Sequence, residues 1–132
     1  ILLVDDEEMI IEVGKKLLEQ LGYVALVASS GAEALETYRE RSNEIDLVIL
    51  DMIMPGMSGD ETYDKLRRAD DRVKVLLSSG YSIDSQASSI MDRGCNGFIQ
   101  KPFNMKQLSE KIEEIFAGHV AASPSGKETE TT

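Results

Sequence analysis

Carboxylate, hydroxyl and amine side chains follow short apolar runs throughout this sequence. Asp5 and Asp6 follow the first run, Asp51 follows the third, Ser78 and Ser79 follow the fourth, and Lys101 follows the fifth. Carboxylate oxygens are the ligands that Mg²⁺ prefers in proteins. If the apolar runs end at one edge of the molecule, the three aspartates are expected to form a Mg²⁺ site there.

Three clustered carboxylates repel one another, so the sequence must supply positive charge beside them. At about 4 Å and an effective dielectric constant of about 20, each ionised pair repels by about 4 kcal/mol. Lys101 offers one compensating charge, and a divalent cation would offer more. Such a site fits transfer of a phosphoryl group to an acyl oxygen. Asp51 would then be the nucleophile, while Lys101 and Ser79 would contact phosphoryl oxygens.

The apolar runs read as five short strands that alternate with helices, which indicates an α/β fold with a parallel sheet. In such a sheet, ligands bind beyond the carboxyl ends of the strands. The predicted strands are residues 1–4, 24–28, 47–50, 73–77 and 97–99.

Helical periodicity and capping residues predict five helices between and after the strands. Short polar residues precede an acid or amide by three positions at three helix starts, a pattern typical of N-terminal caps. Glu7 and Glu8 are interpreted as favourable charges at the start of the first helix. Glycine is expected to end the first helix at Gly22 and the fourth, near residues 84–93, at Gly94. The capping pairs are Ser30 with Glu33, Ser58 with Glu61 and Asn104 with Gln107; the inner faces are Ile10, Val13, Leu17, Leu18 and Leu21 in the first helix and Leu108, Ile112, Ile115 and Phe116 in the last.

Length and composition indicate one acidic domain. The chain has 132 residues, and its 14 Lys and Arg against 24 Asp and Glu give a net charge of −10, which disfavours direct contact with nucleic acid or an anionic membrane. A single cysteine excludes an internal disulfide. Since no apolar run approaches the roughly 20 residues of a membrane span, a cytoplasmic location is expected. We predict a compact domain over residues 1–116 and a polar, flexible tail over 117–132, in which His119 is no phosphodonor because no helical surface remains to present it.

Taken in order, the motifs resemble those of the receiver domain of two-component response regulators. The resemblance covers residues 1–116 and rests on Asp5-Asp6, Asp51, Met54-Pro55-Gly56, Ser79-Gly80 and Lys101-Pro102-Phe103. It implies a flavodoxin-like, doubly wound sheet of five parallel strands in the order 2-1-3-4-5, with five helices.

The resemblance also implies a role for each residue of the site. Asp51 corresponds to the phospho-accepting aspartate, and Mg²⁺ would be bound by Asp6, Asp51 and the carbonyl of Ile53, with Asp5 acting mainly through water. Ser79 and Phe98 occupy the two switch positions. The Lys101-Pro102 bond corresponds to one that is usually cis in the family. Ile53 and Tyr81 stand where the family sets the lifetime of the acyl phosphate.

The partners follow from the same resemblance. A histidine kinase or a phosphotransfer protein would donate the phosphoryl group, and the surface formed by the fourth helix, fifth strand and fifth helix would report it. That surface could also pair two copies of the chain. Any enzymatic activity would be limited to phosphorylation and dephosphorylation of Asp51. The parent protein would be either a stand-alone regulator or a membrane-bound hybrid sensor kinase with this receiver at its end, and the run Leu76 to Tyr81 favours the hybrid.

Other functions fit these residues less well. A phosphatase of the haloacid dehalogenase type needs an acid two residues after its nucleophile, where this chain has Ile53. A flavin-binding protein needs a phosphate loop after the first strand, where acidic residues 5–8 would repel the phosphate. No Walker-type sequence supports nucleotide hydrolysis. A degenerate receiver that only docks or dimerises remains the alternative.

Overall fold

The computed structural model describes residues 1–80 and 85–118. Tyr81, His119 and most of the predicted tail therefore lie outside the described residues. The elements, in chain order, are β1 (Leu2–Val4), α1 (Glu8–Gln20), β2 (Leu26–Ala28), α2 (Gly31–Arg41), a 3-10 turn (Ser42–Glu44), β3 (Val48–Asp51), α3 (Gly59–Ala69), β4 (Val75–Ser79), α4 (Ser85–Asp92), β5 (Gly97–Gln100) and α5 (Met105–Phe116).

The strands form one parallel sheet in the order β2-β1-β3-β4-β5, which confirms the predicted fold class. Alternate strand residues face two separate apolar layers, as expected when both faces of a sheet are covered. Helices α2, α3 and α4 pack on one face through residues such as Leu35, Leu66 and Ile90. Helices α1 and α5 pack on the other through residues such as Leu18 and Ile112.

The strand boundaries differ from the predicted ones in a way that matters for the site. The third and fourth strands run further than expected, so Asp51, Ser78 and Ser79 are the last residues of β3 and β4 and do not follow them. Pairing between neighbours extends these strands, since Asp51 is in register with Ser78 and Ser79 with Gln100. The second strand is shorter than predicted and begins at Leu26, leaving Val24 78% exposed.

Two residues predicted to face the core are exposed. Val13 is 53% exposed because the face of α1 that meets the sheet runs along Gly14 and Leu18, which are buried. A Cβ at Gly14 would lie 2.6 Å from a Leu3 methyl group, so the helix packs closely there and Val13 turns away. Phe116 is 38% exposed and contacts the ring of Tyr23 edge-on at the end of α5.

The predicted helix ends are confirmed. The hydroxyls of Ser30 and Ser58 accept hydrogen bonds from the amides three residues later, and Asn104 forms a complete capping box with Gln107. Gly22 and Gly94 follow α1 and α4 with positive φ angles of 96° and 109°. No helix in the described residues is long and apolar enough to cross a membrane.

The Asn104 cap positions α5 and the loop that follows β5, and its contribution can be measured. We expect Asn104→Ala to lower the free energy of unfolding by about 1 kcal/mol, because the Gln107 amide loses the side-chain oxygen that accepts its hydrogen bond. Urea unfolding followed by circular dichroism measures the change. Lys106→Ala, an exposed change in the same turn, is the control; equal stability of the two variants would contradict the role of the cap.

Candidate functional site

A lysine bridges two buried carboxylates at the carboxyl edge of the sheet. The Lys101 ammonium donates hydrogen bonds to Asp5 Oδ2 at 3.0 Å and to Asp51 Oδ1 at 3.1 Å. Asp5 and Asp51 are 1% and 4% exposed. The bridge spans the sheet because Asp5 directly follows β1, Asp51 ends β3 and Lys101 directly follows β5.

Backbone contacts fix each member of this bridge. The other oxygen of Asp5 accepts the amide of Glu7 at 2.9 Å, and the Lys101 amide donates to the Ser79 carbonyl at 2.6 Å. Helix α3 begins against Asp51, since a Cβ at Gly59 would lie 2.5 Å from the Asp51 carbonyl oxygen. Only glycine permits this approach, which holds the end of β3 in place.

Asp6 completes a cluster of three carboxylates. Asp6 is exposed, unlike its two neighbours, and one oxygen from each of Asp5, Asp6 and Asp51 lies within 4.8 Å of the others. Oxygen donors this close, with net negative charge, fit a hard divalent cation such as Mg²⁺. The donor set is therefore compatible with the metal that the sequence predicts.

The environment of Asp51 disfavours its charged form. Burial raises the pKa of the Asp51 carboxyl to about 6, and the nearby Asp5 carboxylate acts in the same direction. The Lys101 ammonium lowers this pKa but does not outweigh them. Burial alone would lower the pKa of Lys101 itself, yet hydrogen bonds and attraction from Asp5 and Asp51 raise it above its ordinary value. The cluster thus holds more negative charge than one lysine neutralises.

A solvent-open cleft of about 600 Å³ gives access to Asp51. Its walls combine the carboxyl ends of β3 and β4 with the loops that follow β1 and β5. The lining residues are Asp6, Glu7, Ile10, Asp51, Ile53, Ser79, Gly80, Lys101 and Pro102.

The remaining residues singled out in the sequence have different positions. Ser79 is 5% exposed and lines the cleft, whereas the neighbouring Ser78 does not. Ile53 lines the cleft with its side chain 58% exposed. Phe98 lies on β5 opposite Leu77, partly buried against the core and away from the cleft. The Lys101-Pro102 bond is cis.

The predicted position of Glu7 and Glu8 at the start of the first helix is confirmed, since both lie at the N-terminus of α1. Glu7 occupies the N-cap position of α1, but its side chain forms no capping hydrogen bond. Its carboxylate instead lies 4.0 Å from the Lys101 ammonium, with the side chain 66% exposed, at the wall of the cleft. Residue spacing carries no signal for this position, because it depends on the direction of one side chain.

Comparison with known proteins agrees with this arrangement. The family model of the response regulator receiver domain matches residues 1–113. The chain belongs to this family. It is 36% identical over 115 residues to "Sensor kinase CckA" of Brucella abortus, aligning 87% of this chain with 12% of that protein. It is 34% identical over 130 residues to "Transcriptional regulatory protein YvrH" of Bacillus subtilis, aligning 98% of this chain with 52% of that protein.

A solved receiver structure has the same fold. The response regulator receiver domain protein of Clostridium thermocellum superposes with a TM-score of 0.84 at 32% identity, covering 89% of this chain and 93% of that one. This receiver therefore spans about half or less of the first curated relatives it matches, but nearly all of a solved receiver domain.

The raised pKa of Asp51 predicts a pH-dependent stability for the metal-free receiver. Because the folded carboxyl titrates near 6 and the unfolded one near 3.8, the folded state holds more protons between these values. Stability must then fall as pH rises from about 4 to about 6, by about 2 to 3 kcal/mol.

Asp51→Asn should remove this loss and be more stable than the wild type at pH 7 by a similar amount. Urea unfolding in EDTA across this pH range measures both effects, with the exposed Glu110→Gln as the control. A variant no more stable than wild type at pH 7 would show that the ionised Asp51 is not destabilising.

Proposed function

We propose that this receiver accepts a phosphoryl group on Asp51 from a phosphohistidine of a histidine kinase or phosphotransfer protein. One observation carries the proposal: Asp51 lies at the base of an open cleft, bonded to Lys101 and beside two further carboxylates. A carboxylate in this position can attack phosphorus, while the groups around it can stabilise the transferred phosphoryl charge.

Each residue of the cleft has a part in this reaction. Asp51 supplies the attacking oxygen, and the bridging Lys101 is close enough to pair with a phosphoryl oxygen without moving far. The Ser79 hydroxyl, at the end of the adjacent strand, would donate to another oxygen. Asp5 would keep Lys101 positioned, because it also accepts a hydrogen bond from the ammonium.

Mg²⁺ is the cofactor that fits this site. Asp6, Asp51 and the Ile53 carbonyl would hold it, with Asp5 contributing mainly through water. Bound there, the ion would neutralise phosphoryl oxygens and reduce repulsion between the incoming group and the aspartates. The cluster of oxygen donors supports this assignment.

The output of the switch would be the surface of α4, β5 and α5. A phosphoryl group on Asp51 gives the Ser79 hydroxyl a new acceptor, and movement of Ser79 would leave space for a neighbouring ring. Phe98 carries the ring that would enter this space, since it lies on β5, the strand paired with β4. It lacks the hydroxyl of tyrosine, so its outward conformation would gain no hydrogen bond. A partner protein, or a second copy of the chain, that binds this surface would then respond to phosphorylation of Asp51.

The similarity to a sensor kinase favours the hybrid-kinase setting. The region of "Sensor kinase CckA" is 36% identical to this chain, and the transcriptional regulator YvrH is 34% identical. We therefore propose a receiver carried by a sensor kinase, with a separate regulator as the second setting.

Phosphorylation can be tested directly by mass spectrometry of the intact protein. With phosphoramidate and Mg²⁺, the wild type should gain the mass of one phosphoryl group, and EDTA should prevent the gain. Asp51→Asn should gain nothing, while Asp71→Asn, an exposed acid distant from the cleft, should behave as wild type. No gain by the wild type would instead favour a docking module that has lost phosphorylation.

A further inference from the structure

Glu7 places a negative charge at the entrance of a site that must accept a phosphate. Its carboxylate lies 4.0 Å from the Lys101 ammonium and lines the same cleft as Asp6 and Asp51. The backbone is fixed there, since the Glu7 amide donates to Asp5 Oδ1 at 2.9 Å. The backbone position of Glu7 is thus fixed, while its side chain is 66% exposed.

The charge of Glu7 is favourable at the N-terminus of α1, but this contribution does not require a carboxylate beside Lys101. Glu7 is the N-cap residue of α1, where Ser, Thr, Asp or Asn would accept an amide hydrogen bond, and it accepts none. Its contact with Lys101 is long and solvent-exposed, so it adds little to stability. Lys101 is already bonded to Asp5 and Asp51.

The same charge has a direct effect on an approaching donor. A free acyl phosphate is a dianion and must pass Asp6 and Glu7 to reach Asp51. Glu7 also partly neutralises the Lys101 ammonium, which would otherwise attract this donor. Both effects oppose anionic donors, and both depend on charge alone.

We infer that Glu7 is a specificity residue that disfavours small, free anionic phosphodonors relative to donors of lower negative charge. The inference rests on the proposed phosphorylation of Asp51 and adds the class of donor that the site rejects. A phosphohistidine whose carrier protein presents cationic groups would not incur this penalty.

Two small donors separate the effect of charge from the chemistry of transfer. With acetyl phosphate, an Asp51 oxygen forms a bond to phosphorus, the P–O bond to the acetyl group breaks, and acetate leaves with the electron pair. With phosphoramidate, the P–N bond breaks and ammonia leaves with the pair, its nitrogen being already protonated in the donor. Acetyl phosphate is a dianion at neutral pH, whereas phosphoramidate is a monoanion with a cationic leaving group.

Phosphorylation rates of wild type, Glu7→Gln and Glu8→Gln test the inference with both donors and saturating Mg²⁺. Glu8→Gln removes the same charge one residue further along, on an exposed side chain with no Lys101 contact within 4.0 Å. Glu7→Gln should react with acetyl phosphate about three to ten times faster than wild type, and with phosphoramidate less than about twice as fast. The gain should shrink as salt rises from about 0.05 M to about 0.5 M.

The outcomes separate a failure of this inference from a failure of the proposed phosphorylation on which it rests. Equal acceleration with both donors, the same acceleration in Glu8→Gln, or no acceleration would overturn the role of Glu7 while phosphorylation itself stands. Slower reaction of Glu7→Gln would also overturn it, because Glu7 would then assist metal binding or transfer. No phosphorylation of the wild type by either donor would overturn the proposed function and this inference together.

Discussion

The bridge from Lys101 to Asp5 and Asp51 is the interaction on which the site depends. It joins the ends of β1, β3 and β5, elements far apart in sequence, through one partly buried ammonium. The bridge lets two buried carboxylates coexist, but a third acid, Asp6, keeps the cluster negative overall. An isolated protein has no structural reason to keep such repulsion. Under the proposed function, a cation and a phosphoryl group would offset this repulsion.

The fold serves this cluster by bringing strand ends together. Helices cover both faces of the sheet, so strand positions are set by apolar packing that does not involve the polar edge. Gly59 lets α3 begin directly against the Asp51 carbonyl, and the Ser79 carbonyl receives the Lys101 amide. Backbone contacts thus hold the charged residues in place.

Alternation of strands and helices predicted a parallel sheet with the cluster at one edge, and the resemblance to receiver domains predicted the strand order. Strands that alternate with helices must be parallel, and parallel strands place Asp5, Asp51 and Lys101 at one edge. Predictions from the sequence were wrong where the result depends on the direction of one side chain or on one pairing between strands. Val13 fits the helical period but turns from the sheet because Gly14 packs there, and Asp51 belongs to β3 because pairing with Ser78 extends the strand. Glu7 was placed correctly at the start of α1, but spacing does not show that its carboxylate lies 4.0 Å from the Lys101 ammonium.

The dependence of stability on Mg²⁺ tests most directly whether the aspartate cluster is completed by a cation. An ion that binds only the folded state stabilises it in proportion to the logarithm of its concentration once binding is saturated. The account predicts that the urea midpoint of the wild type and of Asp71→Asn rises with Mg²⁺, and that Asp6→Asn and Asp51→Asn respond weakly or not at all. A wild-type midpoint that does not change with Mg²⁺, or one that rises equally in all four proteins, would contradict it.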